Sequence, residues 1–424
     1  MAKIIAGVGC SHVPAIGAAL DLGKTEEPYW KRVFAGFEKS KRWIADIRPD
    51  VAIVVFNDHA TSFSVEVIPT FALGCADHYK PADEGWGARP VPIVRGHPEL
   101  ASHIAQSVIL DEFDLTIVNK MDVDHGLTVP LSLMFGKVNA WPCTVIPLAV
   151  NVVMYPPPTG RRCFALGRSI RKAVEAYHED LRVVILGTGG LSHQISGPRA
   201  GLINSEWDRR FLDNLTADPL GLTRIPHLDY MREAGAEGIE MIMWLIMRGA
   251  LSENVRKVHS SFYLPSMTSI ATLVLENEAA ELPDAEAVND RHRARMAEQL
   301  AGVEEMTGTY PFDIARSVKG YRINKFLHDL VDPEHRARFL DEPETAFKEA
   351  GLTEEEQELI RSRDWPGMIH YGVIFFMLEK LAAVTGVSNL HVYAAMRGET
   401  LEDFLKTRNT QVIYSVAGKQ EKQN

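Results

Sequence analysis

The sequence predicts an α/β protein, with a central sheet covered by helices and a smaller, mostly helical C-terminal domain. In the first two thirds, short apolar and β-branched runs alternate with helical patterns, which is typical of an α/β sheet. The strand signals stop at about Glu276–Pro311, where the composition turns polar and acidic, and only helical patterns follow. A chain of 424 residues is longer than one core usually organises. We therefore expect two domains, at residues 1–290 and 310–424.

Five apolar runs supply the strands of the predicted sheet. They are continuous rather than alternating, which is typical of strands buried on both faces. Amphipathic helical stretches separate several of them, so we expect helices on both sides of the sheet. The runs are Lys3–Gly9, Asp50–Phe56, Leu115–Met121, Cys143–Val150 and Arg182–Gly187.

The C-terminal domain carries its own local helix signal. Leu352 and Thr353 precede three consecutive glutamates in LTEEEQELIRSR. Threonine is a favoured N-cap residue, and acidic side chains in the first turn interact well with the helix dipole. The pattern predicts a helix that begins directly after Thr353.

Composition and charge exclude several classes of protein. The formal net charge of −11 argues against a nucleic-acid groove, which needs a basic face, but leaves a small anionic substrate open. The longest apolar stretch, Met241–Met247, is too short to span a bilayer, so no membrane partner is expected. The N-terminus lacks a signal-peptide pattern. Four cysteines without metal-ligand or disulfide spacing agree with a cytoplasmic protein: Cys10, Cys75, Cys143 and Cys163.

Four histidines each follow a predicted strand. They are His12 in CSH, His59 in NDH, His125 in DVDHG and His193 in GTGGLSH. Sites in open α/β sheets form outside the carboxyl ends of the strands, so these side chains are expected to converge. A single histidine in such a position is more often structural. Four of the chain's 15 in the same position predict that at least two bind a metal or take part in catalysis.

A carboxylate is the usual third ligand beside two histidines. Glu233, Glu237 and Glu240 are spaced i, i+4 and i+7 in REAGAEGIEMIMWLIMRG, which as one helix would place them on one side. Glu233 is best explained as part of a solvated helix face. Glu240 directly precedes an apolar run, and a buried carboxylate there needs a partner such as a cation. The spacing alone leaves Glu237 and Glu240 both open.

Two histidines and one carboxylate leave three coordination positions open. This arrangement suits non-haem Fe(II). Zinc hydrolases use the same ligand set, so a zinc hydrolase is one alternative. A non-enzymatic binding protein that keeps its pocket histidines is another.

Several motifs resemble a known family. GVGCSHVP, FNDHA, DVDHGLTVPL, GTGGLSHQ and AGAEGIEMIMW are similar to the catalytic subunit of the extradiol dioxygenases typified by protocatechuate 4,5-dioxygenase. LTEEEQELIRSRDW and GVIFFMLEKLAAVTG are similar to the small helical subunit of those enzymes. The resemblance covers nearly the whole chain and is greatest to the single-chain branch, the gallate dioxygenases, in which the two subunits are fused.

The resemblance implies roles for five residues of the first domain. His12, His59 and Glu240 would be the ligands of Fe(II). His193 would be the catalytic acid and base, because a histidine that is not a ligand can move protons. His125 would form a hydrogen bond with a ring hydroxyl.

The resemblance also implies substrate-binding residues nearer the C-terminus. Thr268, in PSMTSIA, would lie near the substrate carboxylate, with Ser269 as the alternative. Glu379, Tyr393 and Tyr414 are similar to residues that reach the neighbouring subunit's pocket in a homodimer. Tyr393 could instead serve helix packing, and Glu379 could be a surface charge.

The reaction implied by the resemblance is Fe(II)-dependent extradiol cleavage of a small aromatic acid. Gallate and O2 would give 4-oxalomesaconate, in the catabolism of lignin-type aromatic acids. Protocatechuate and 3-O-methylgallate are the alternative substrates.

Overall fold

The computed structural model of the protein describes residues 1–154, 156–265, 267–278, 285–303 and 305–408. The chain divides into two compact units, Met1–Leu300 (unit 1) and Ala301–Asn424 (unit 2). Unit 1 is built on a central sheet with helices packed against it, and the described part of unit 2 is helical. The predicted fold class is confirmed.

Unit 1 contains an eight-stranded sheet in the order β6-β3-β7-β2-β8-β1-β10-β9, and a two-stranded sheet formed by β4 and β5. The strands are β1 Lys3–Cys10, β2 Val51–Phe56, β3 Phe71–Gly74, β4 His78–Tyr79, β5 Val94–Arg95, β6 Thr116–Val118, β7 Thr144–Val150, β8 Arg182–Thr188, β9 Val255–Tyr263 and β10 Ile270–Asn277.

The helices follow in chain order. Those of unit 1 are α1 Pro14–Asp21, α2 Pro28–Ile47, α3 Pro98–Leu110, α4 His125–Phe135, α5 Gly160–Ala176, α6 Ser205–Ala217, α7 Pro219–Leu222, α8 His227–Ala234, a 3-10 helix Glu237–Met241, α9 Ile242–Gly249 and α10 Ala285–Leu300. Those of unit 2 are α11 Ile314–Lys319, α12 Tyr321–Asp329, α13 Pro333–Asp341, α14 Pro343–Glu349, α15 Glu354–Arg361, α16 Trp365–Tyr371, α17 Phe375–Val384, α18 Asn389–Met396 and α19 Leu401–Lys406.

The centre of the large sheet is parallel. Strands β7, β2, β8 and β1 are neighbours in that order, and each adjacent pair is parallel. All six residues of β2 are buried, as expected for a strand covered on both faces. The carboxyl ends of these strands share one edge of the sheet. The loops after β1, β2 and β8 therefore begin side by side.

The two faces of β1 pack against different helices. Val8 belongs to the apolar cluster that includes side chains of α2 and α4. Gly7 and Gly9 face α9 instead, where a Cβ would lie 2.5 Å from Sδ of Met247 and 2.3 Å from the Trp244 ring. Glycine at both positions lets α9 pack directly on the sheet. This contact fixes the 3-10 helix that immediately precedes α9.

One predicted strand differs in length and direction. The run Leu115–Met121 contributes only β6, Thr116–Val118. Strand β6 is parallel to β3, and β3 is antiparallel to β7, so β6 runs opposite to β2. Its carboxyl end therefore lies at the edge away from the loops after β1, β2 and β8. Strands β3, β9 and β10 of the same sheet were not predicted.

Unit 2 has its own apolar core. Buried side chains from several of its helices form one cluster that includes Phe326, Phe347 and Leu378. The predicted start of a helix after Thr353 is confirmed, since Thr353 and Glu356 form a capping box at the beginning of α15. Among the described residues of the chain, no helix has the length and apolarity needed to cross a membrane.

Candidate metal centre and active site

His12, His59 and Glu240 lie together at the carboxyl edge of the parallel strands. His12 follows β1, His59 follows β2, and Glu240 lies on the 3-10 helix before α9. One nitrogen or carboxylate oxygen from each residue lies within 4.8 Å of the others. The side chains of His12 and Glu240 are 3% and 5% exposed, whereas that of His59 is 27% exposed. The group is therefore buried on one side and accessible on the other.

The hydrogen bonds of His12 define which nitrogen faces Glu240. The Thr188 hydroxyl donates to the Gly126 carbonyl (3.3 Å), so its oxygen accepts the Nδ1–H of His12 (3.0 Å). The lone pair of Nε2 then faces Oε2 of Glu240 at 3.3 Å. This buried Nε2 has no hydrogen-bond partner among the described residues. Two acceptors at this distance repel each other unless a cation lies between them.

His59 is oriented by the carboxylate of Asp124. Oδ2 of Asp124 accepts from the backbone N–H of His59 (2.7 Å) and from its Nδ1–H (2.8 Å). Oδ1 accepts from the N–H of Gly126 and so caps α4. Nε2 of His59 is left 3.8 Å from Oε1 of Glu240. A carboxylate behind a histidine is the usual support of a metal-binding imidazole.

Glu240 is held as a carboxylate. Its Oε2 accepts from the N–H of Gly190 (2.6 Å), and its Oε1 accepts from Nδ2 of Asn57 (3.2 Å). Burial works against the charge, but the neighbouring histidines His12, His59 and His193 outweigh it. They hold the pKa of Glu240 well below its usual range.

The two histidines of this group have opposite pKa shifts. Burial lowers the pKa of His12, and the nearby His59 and His125 lower it further, against the effect of Glu240. Burial also acts to lower the pKa of His59, but its hydrogen bond with Asp124 and the nearby charge of Glu240 outweigh it and raise the pKa to about 10. In the metal-free protein, His59 therefore carries a proton between two carboxylates. A bound metal ion would replace this proton as the positive charge beside the same two carboxylates.

His125 begins α4 and lies against this group. Its ring stacks on that of His59, with centroids 3.9 Å apart, and lies 5.7 Å from that of His12. Glu84 accepts its backbone N–H (3.0 Å) and its Nδ1–H (2.5 Å). The convergence of His125 with the other histidines was predicted, but the reason given was wrong. Strand β6 points to the other edge, and residues 119–124 bring the chain back to the start of α4.

His193 lies in the loop after β8. Its backbone N–H donates to the carbonyl of Ala234 (2.8 Å), and its Nδ1–H donates to the carbonyl of Leu191 (2.8 Å). The other ring nitrogen, Nε2, is therefore the one that can accept a proton. A Cβ at Gly190 would lie 2.7 Å from Cε1 of His193, so only glycine allows this close approach. The same Gly190 donates its N–H to Glu240, which links His193 to the candidate ligands.

The three glutamates do not share one helix face. Helix α8 ends at Ala234, Gly235 adopts a φ of 93°, and a separate 3-10 helix follows. Glu237 is half-buried and accepts the backbone N–H of Ile195 (3.0 Å). Glu240 is the member of the three that joins the histidines. The prediction of a continuous helix was wrong because glycine in the left-handed region turns the chain.

Thr268 is the more accessible of the two candidates for contact with the substrate carboxylate. Thr268 is half-buried, and its Cγ2 would lie 3.1 Å from a Cβ at Gly190, which places it beside the His193 loop. Ser269 is fully buried, and its N–H donates to the carbonyl of Ser192 (3.4 Å).

Glu379 and Tyr393 form a hydrogen-bonded pair within unit 2. The Tyr393 hydroxyl donates to Oε1 of Glu379 (3.1 Å) and accepts from Nδ2 of Asn389 (3.3 Å). The Tyr393 ring stacks on Phe375 with centroids 5.5 Å apart. Burial raises the pKa of Tyr393, and the charge of Glu379 raises it further. Tyr414 lies outside the described residues.

Sequence reasoning missed the residues that support the histidines. Asp124 and Asn57 had a usable signal, since each lies within two residues of a candidate histidine, in DVDH and NDH. Thr188 lies in GTGGLSH, the motif that contains His193, but nothing in that motif indicates its contact with His12. Glu84 had no signal, because the contact joins positions 41 residues apart.

The fold and this site define a class of protein: an α/β enzyme with a centre of two imidazoles and one carboxylate, flanked by two further histidines. Residues 6–274 match the family described as the catalytic LigB subunit of aromatic ring-opening dioxygenase. Residues 323–409 match the LigA subunit of the aromatic-ring-opening dioxygenase LigAB. The chain belongs to the LigAB family of extradiol ring-cleaving dioxygenases, with both subunit types joined in one chain. The predicted resemblance is confirmed, and this activity implies an aromatic substrate, O2 and a metal cofactor.

Two individual relatives of the chain are also dioxygenases. The chain is 55% identical over 338 residues to a gallate dioxygenase of Pseudomonas putida, covering 80% of this chain and 99% of the relative. It is 30% identical over 203 residues to a 2,3-dihydroxyphenylpropionate/2,3-dihydroxicinnamic acid 1,2-dioxygenase of a Rhodococcus species, covering 48% of this chain and 61% of that enzyme. A solved structure of an uncharacterized Escherichia coli K12 protein is 13% identical, with a TM-score of 0.38, covering 64% of this chain and 99% of that one. That structural likeness is too low to bear on function.

Proposed function

We propose that this chain is an Fe(II)-dependent gallate dioxygenase. It opens the ring of gallate beside the vicinal diol and incorporates both atoms of O2, giving 4-oxalomesaconate in the catabolism of aromatic acids. The observation that carries the proposal is the group formed by His12, His59 and Glu240, in which one possible ligand atom of each side chain lies within 4.8 Å of the others. The choice of gallate rests on the 55% identity to the Pseudomonas putida enzyme.

The donor set fits Fe(II). Two imidazole nitrogens, Nε2 of His12 and Nε2 of His59, and one carboxylate oxygen of Glu240 would hold the ion. This arrangement leaves three positions open and is typical of non-haem Fe(II). When bound, Fe(II) supplies Lewis acidity towards two adjacent phenolic oxygens and the redox route by which an aromatic ring reacts with triplet O2.

His193 moves the protons of the reaction. A diol that binds a cation loses hydroxyl protons, and a nearby base must accept at least one of them. Nε2 of His193 is the atom that accepts this proton, because Nδ1 already donates its hydrogen to the Leu191 carbonyl. The same nitrogen returns the proton at the ring-opening stage. The His193 ring forms no hydrogen bond with any of the three candidate metal ligands, since its Nδ1–H is bound to the Leu191 carbonyl, so its role is separable from metal binding.

Two further residues orient the substrate. Nε2 of His125 has no hydrogen-bond partner among the described residues and is available to a ring hydroxyl, since Nδ1 is bound to Glu84. Thr268 lies beside the His193 loop and would contact the substrate carboxylate. A triol acid needs such partners, because a wrong substrate then leaves buried polar groups unpaired.

The C-terminal unit completes the pocket of the neighbouring subunit in a homodimer. Glu379, Tyr393 and Tyr414 would contact the substrate from that side. Two of the three hydroxyls of gallate would bind the metal, and the third would not. A phenol hydroxyl and a carboxylate are suitable hydrogen-bond partners for that third hydroxyl. The enzyme would act in the cytoplasm, in agreement with its four unpaired, buried cysteines.

Oxygen uptake tests the proposal directly. The protein is purified without air and loaded with Fe(II). Consumption of O2 is then measured in parallel with gallate, protocatechuate and 3-O-methylgallate. We expect the highest kcat/KM with gallate and one O2 consumed per gallate, with the ring-opened product identified by mass spectrometry.

Two controls keep the alternatives separate. Zn(II)-loaded protein should consume no O2, and restored activity after exchange for Fe(II) would exclude a zinc enzyme. Fe(II)-loaded His193→Ala protein should bind gallate with little turnover. A higher kcat/KM with protocatechuate or 3-O-methylgallate would keep the reaction class and overturn the substrate. Absence of O2 uptake with all three at full iron occupancy would overturn the proposed function.

A further inference from the structure

Glu84 forms two hydrogen bonds with one residue, His125. It lies between β4 and β5, in a segment closed by a bridge between Asp83 and Ala88. One carboxylate oxygen accepts the backbone N–H of His125 (3.0 Å), and the other accepts its Nδ1–H (2.5 Å). Both side chains are 7% exposed. Glu84 is neither a candidate metal ligand nor the proton-transfer residue.

We infer that Glu84 is a positioning residue that fixes the tautomer of His125, with hydrogen on Nδ1 and a lone pair on Nε2. This lone pair makes His125 a hydrogen-bond acceptor towards the bound substrate. The inference rests on the proposed function only for the identity of the group that Nε2 meets, a ring hydroxyl.

The chemistry of the two donors requires a carboxylate. A backbone N–H is always a donor, whereas a neutral imidazole nitrogen is either a donor or an acceptor. A carboxylate offers two acceptors and so accepts both the backbone N–H and Nδ1–H. A glutamine offers one acceptor and one donor in nearly the same shape. Its carbonyl must face the backbone N–H of His125, and its NH2 group must face Nδ1.

Glu84→Gln is therefore expected to reverse the tautomer. With an NH2 group against it, Nδ1 becomes the acceptor and the hydrogen moves to Nε2. The ring itself should stay in place, because it stacks on His59 and begins α4. His125 then presents a donor where the substrate hydroxyl expects an acceptor. The Glu84→Gln variant therefore tests the tautomer of His125 separately from the position of its ring.

Nuclear magnetic resonance reports the tautomer without any turnover. The protein is labelled with 15N in its histidine rings and loaded with diamagnetic Zn(II). Two-bond proton–nitrogen correlations then distinguish Nδ1–H from Nε2–H, and the His125 signals are assigned by their loss in His125→Phe. We expect Nδ1–H in the unchanged protein and Nε2–H in Glu84→Gln, with equal metal content. In the Fe(II) form, we expect kcat/KM for gallate to fall by about 10–100-fold, the effect of a mismatched buried hydrogen bond.

Two variants serve as controls. Glu99→Gln makes the same change of charge at a side chain that is 74% exposed and should leave both readouts unchanged. Glu84→Asp keeps two acceptors on a shorter side chain, so it should retain Nδ1–H and part of the activity. If Glu84→Gln fails to fold, Glu84→Asp and the unchanged protein still give the tautomer.

The outcomes are distinct. Nδ1–H retained in a folded Glu84→Gln protein would overturn the inference, as would hydrogen on Nε2 in the unchanged protein. Loss of Nδ1–H in a folded Glu84→Asp protein would also overturn it. Inactivity of the unchanged protein towards gallate would count against the proposed function alone, because the tautomer is read without substrate.

Discussion

Nε2 of His12 lies 3.3 Å from Oε2 of Glu240, and both atoms present lone pairs to each other. The Nδ1–H of His12 is bound to Thr188, and the two N–H groups within hydrogen-bond distance of Glu240 belong to Gly190 and Asn57. A buried pair of acceptors is costly unless a cation lies between them. This contact is the most direct physical argument for a metal ion at the site.

The first prediction concerns metal content. Replacement of His12, His59 or Glu240 with Ala should remove most of the bound metal, because each supplies one of only three protein ligands. Metal is measured by mass spectrometry on protein purified without air. Glu237→Ala is the matched control, since Glu237 bonds to Ile195 instead. Full metal in Glu240→Ala together with loss in Glu237→Ala would reverse the assignment of the carboxylate.

The second prediction concerns protons released when metal binds. The pKa of His59 in the metal-free protein is raised to about 10, so His59 is protonated at neutral pH. A metal ion must displace this proton, and affinity should therefore rise with pH, by up to about tenfold per unit below the pKa. Calorimetry of Zn(II) binding in buffers of different ionisation enthalpy should give about one proton released from the protein per ion near pH 7.5. Zero release, or affinity independent of pH, would contradict a protonated His59.

The third prediction concerns the support of His59 by Asp124. The carboxylate of Asp124 accepts three hydrogen bonds, two from His59 and one from the start of α4. Asp124→Asn leaves only one oxygen to accept them. We expect metal affinity to fall by about 10–100-fold, the usual effect of losing a carboxylate behind a ligand. Affinity is measured by competition with a chelator. Asp122→Asn changes an exposed carboxylate two residues away and should bind metal normally. Equal affinities in the two variants would assign Asp124 a role in the fold alone.

The sequence could predict the convergence of the ligands because topology is carried by local patterns. The continuous apolar runs of β1, β2 and β8 define adjacent parallel strands, and a residue just past each strand must lie near the others. His12, His59 and His193 follow from that rule. His125 reached the same place by another route, since β6 runs in the opposite direction. A strand of three residues is too short for its pairing partner to be read from its sequence.

The remaining parts of the site depend on contacts between distant segments. The choice of Glu240 over Glu237 depended on the turn at Gly235, which ends a helix that the spacing alone would continue. Glu84 and Thr188 meet their histidines across 41 and 176 positions of the chain. No periodicity links such positions, so only tertiary structure identifies them.

The fourth prediction separates proton transfer from metal binding. His193→Ala and His193→Phe should keep their metal and bind gallate, because the His193 ring bonds to the Leu191 carbonyl rather than to a ligand. Loss of a general acid–base should lower kcat by about 10²–10⁴-fold. Metal content and the substrate dissociation constant are measured beside kcat. Loss of metal in proportion to activity would make His193 a ligand, and turnover near that of the unchanged protein would remove it from the reaction.

The fifth prediction concerns the C-terminal unit and the proposed homodimer. Tyr393 and Glu379 are already paired by a hydrogen bond, so a substrate hydroxyl would join an existing polar pair. Subunits carrying Glu379→Ala and Tyr393→Phe are mixed with subunits carrying His193→Ala, each being nearly inactive alone. If the pair acts on the partner's pocket, one site of each mixed dimer contains both intact sets. Random exchange of equal amounts should then restore about one quarter of the sites.

The extent of subunit exchange must also be measured, because the test is decisive only when mixed dimers have formed. Native mass spectrometry of subunits with tags of different mass gives the fraction of mixed dimers, and O2 uptake with gallate gives the activity. Activity that rises in proportion to that fraction would support action across the dimer. Complete exchange without recovery would mean that Glu379 and Tyr393 serve the pocket of their own subunit or only the packing of α17 and α18. Restoring Tyr393 alone in the double variant would then show whether the hydroxyl or the carboxylate is the group that the reaction needs.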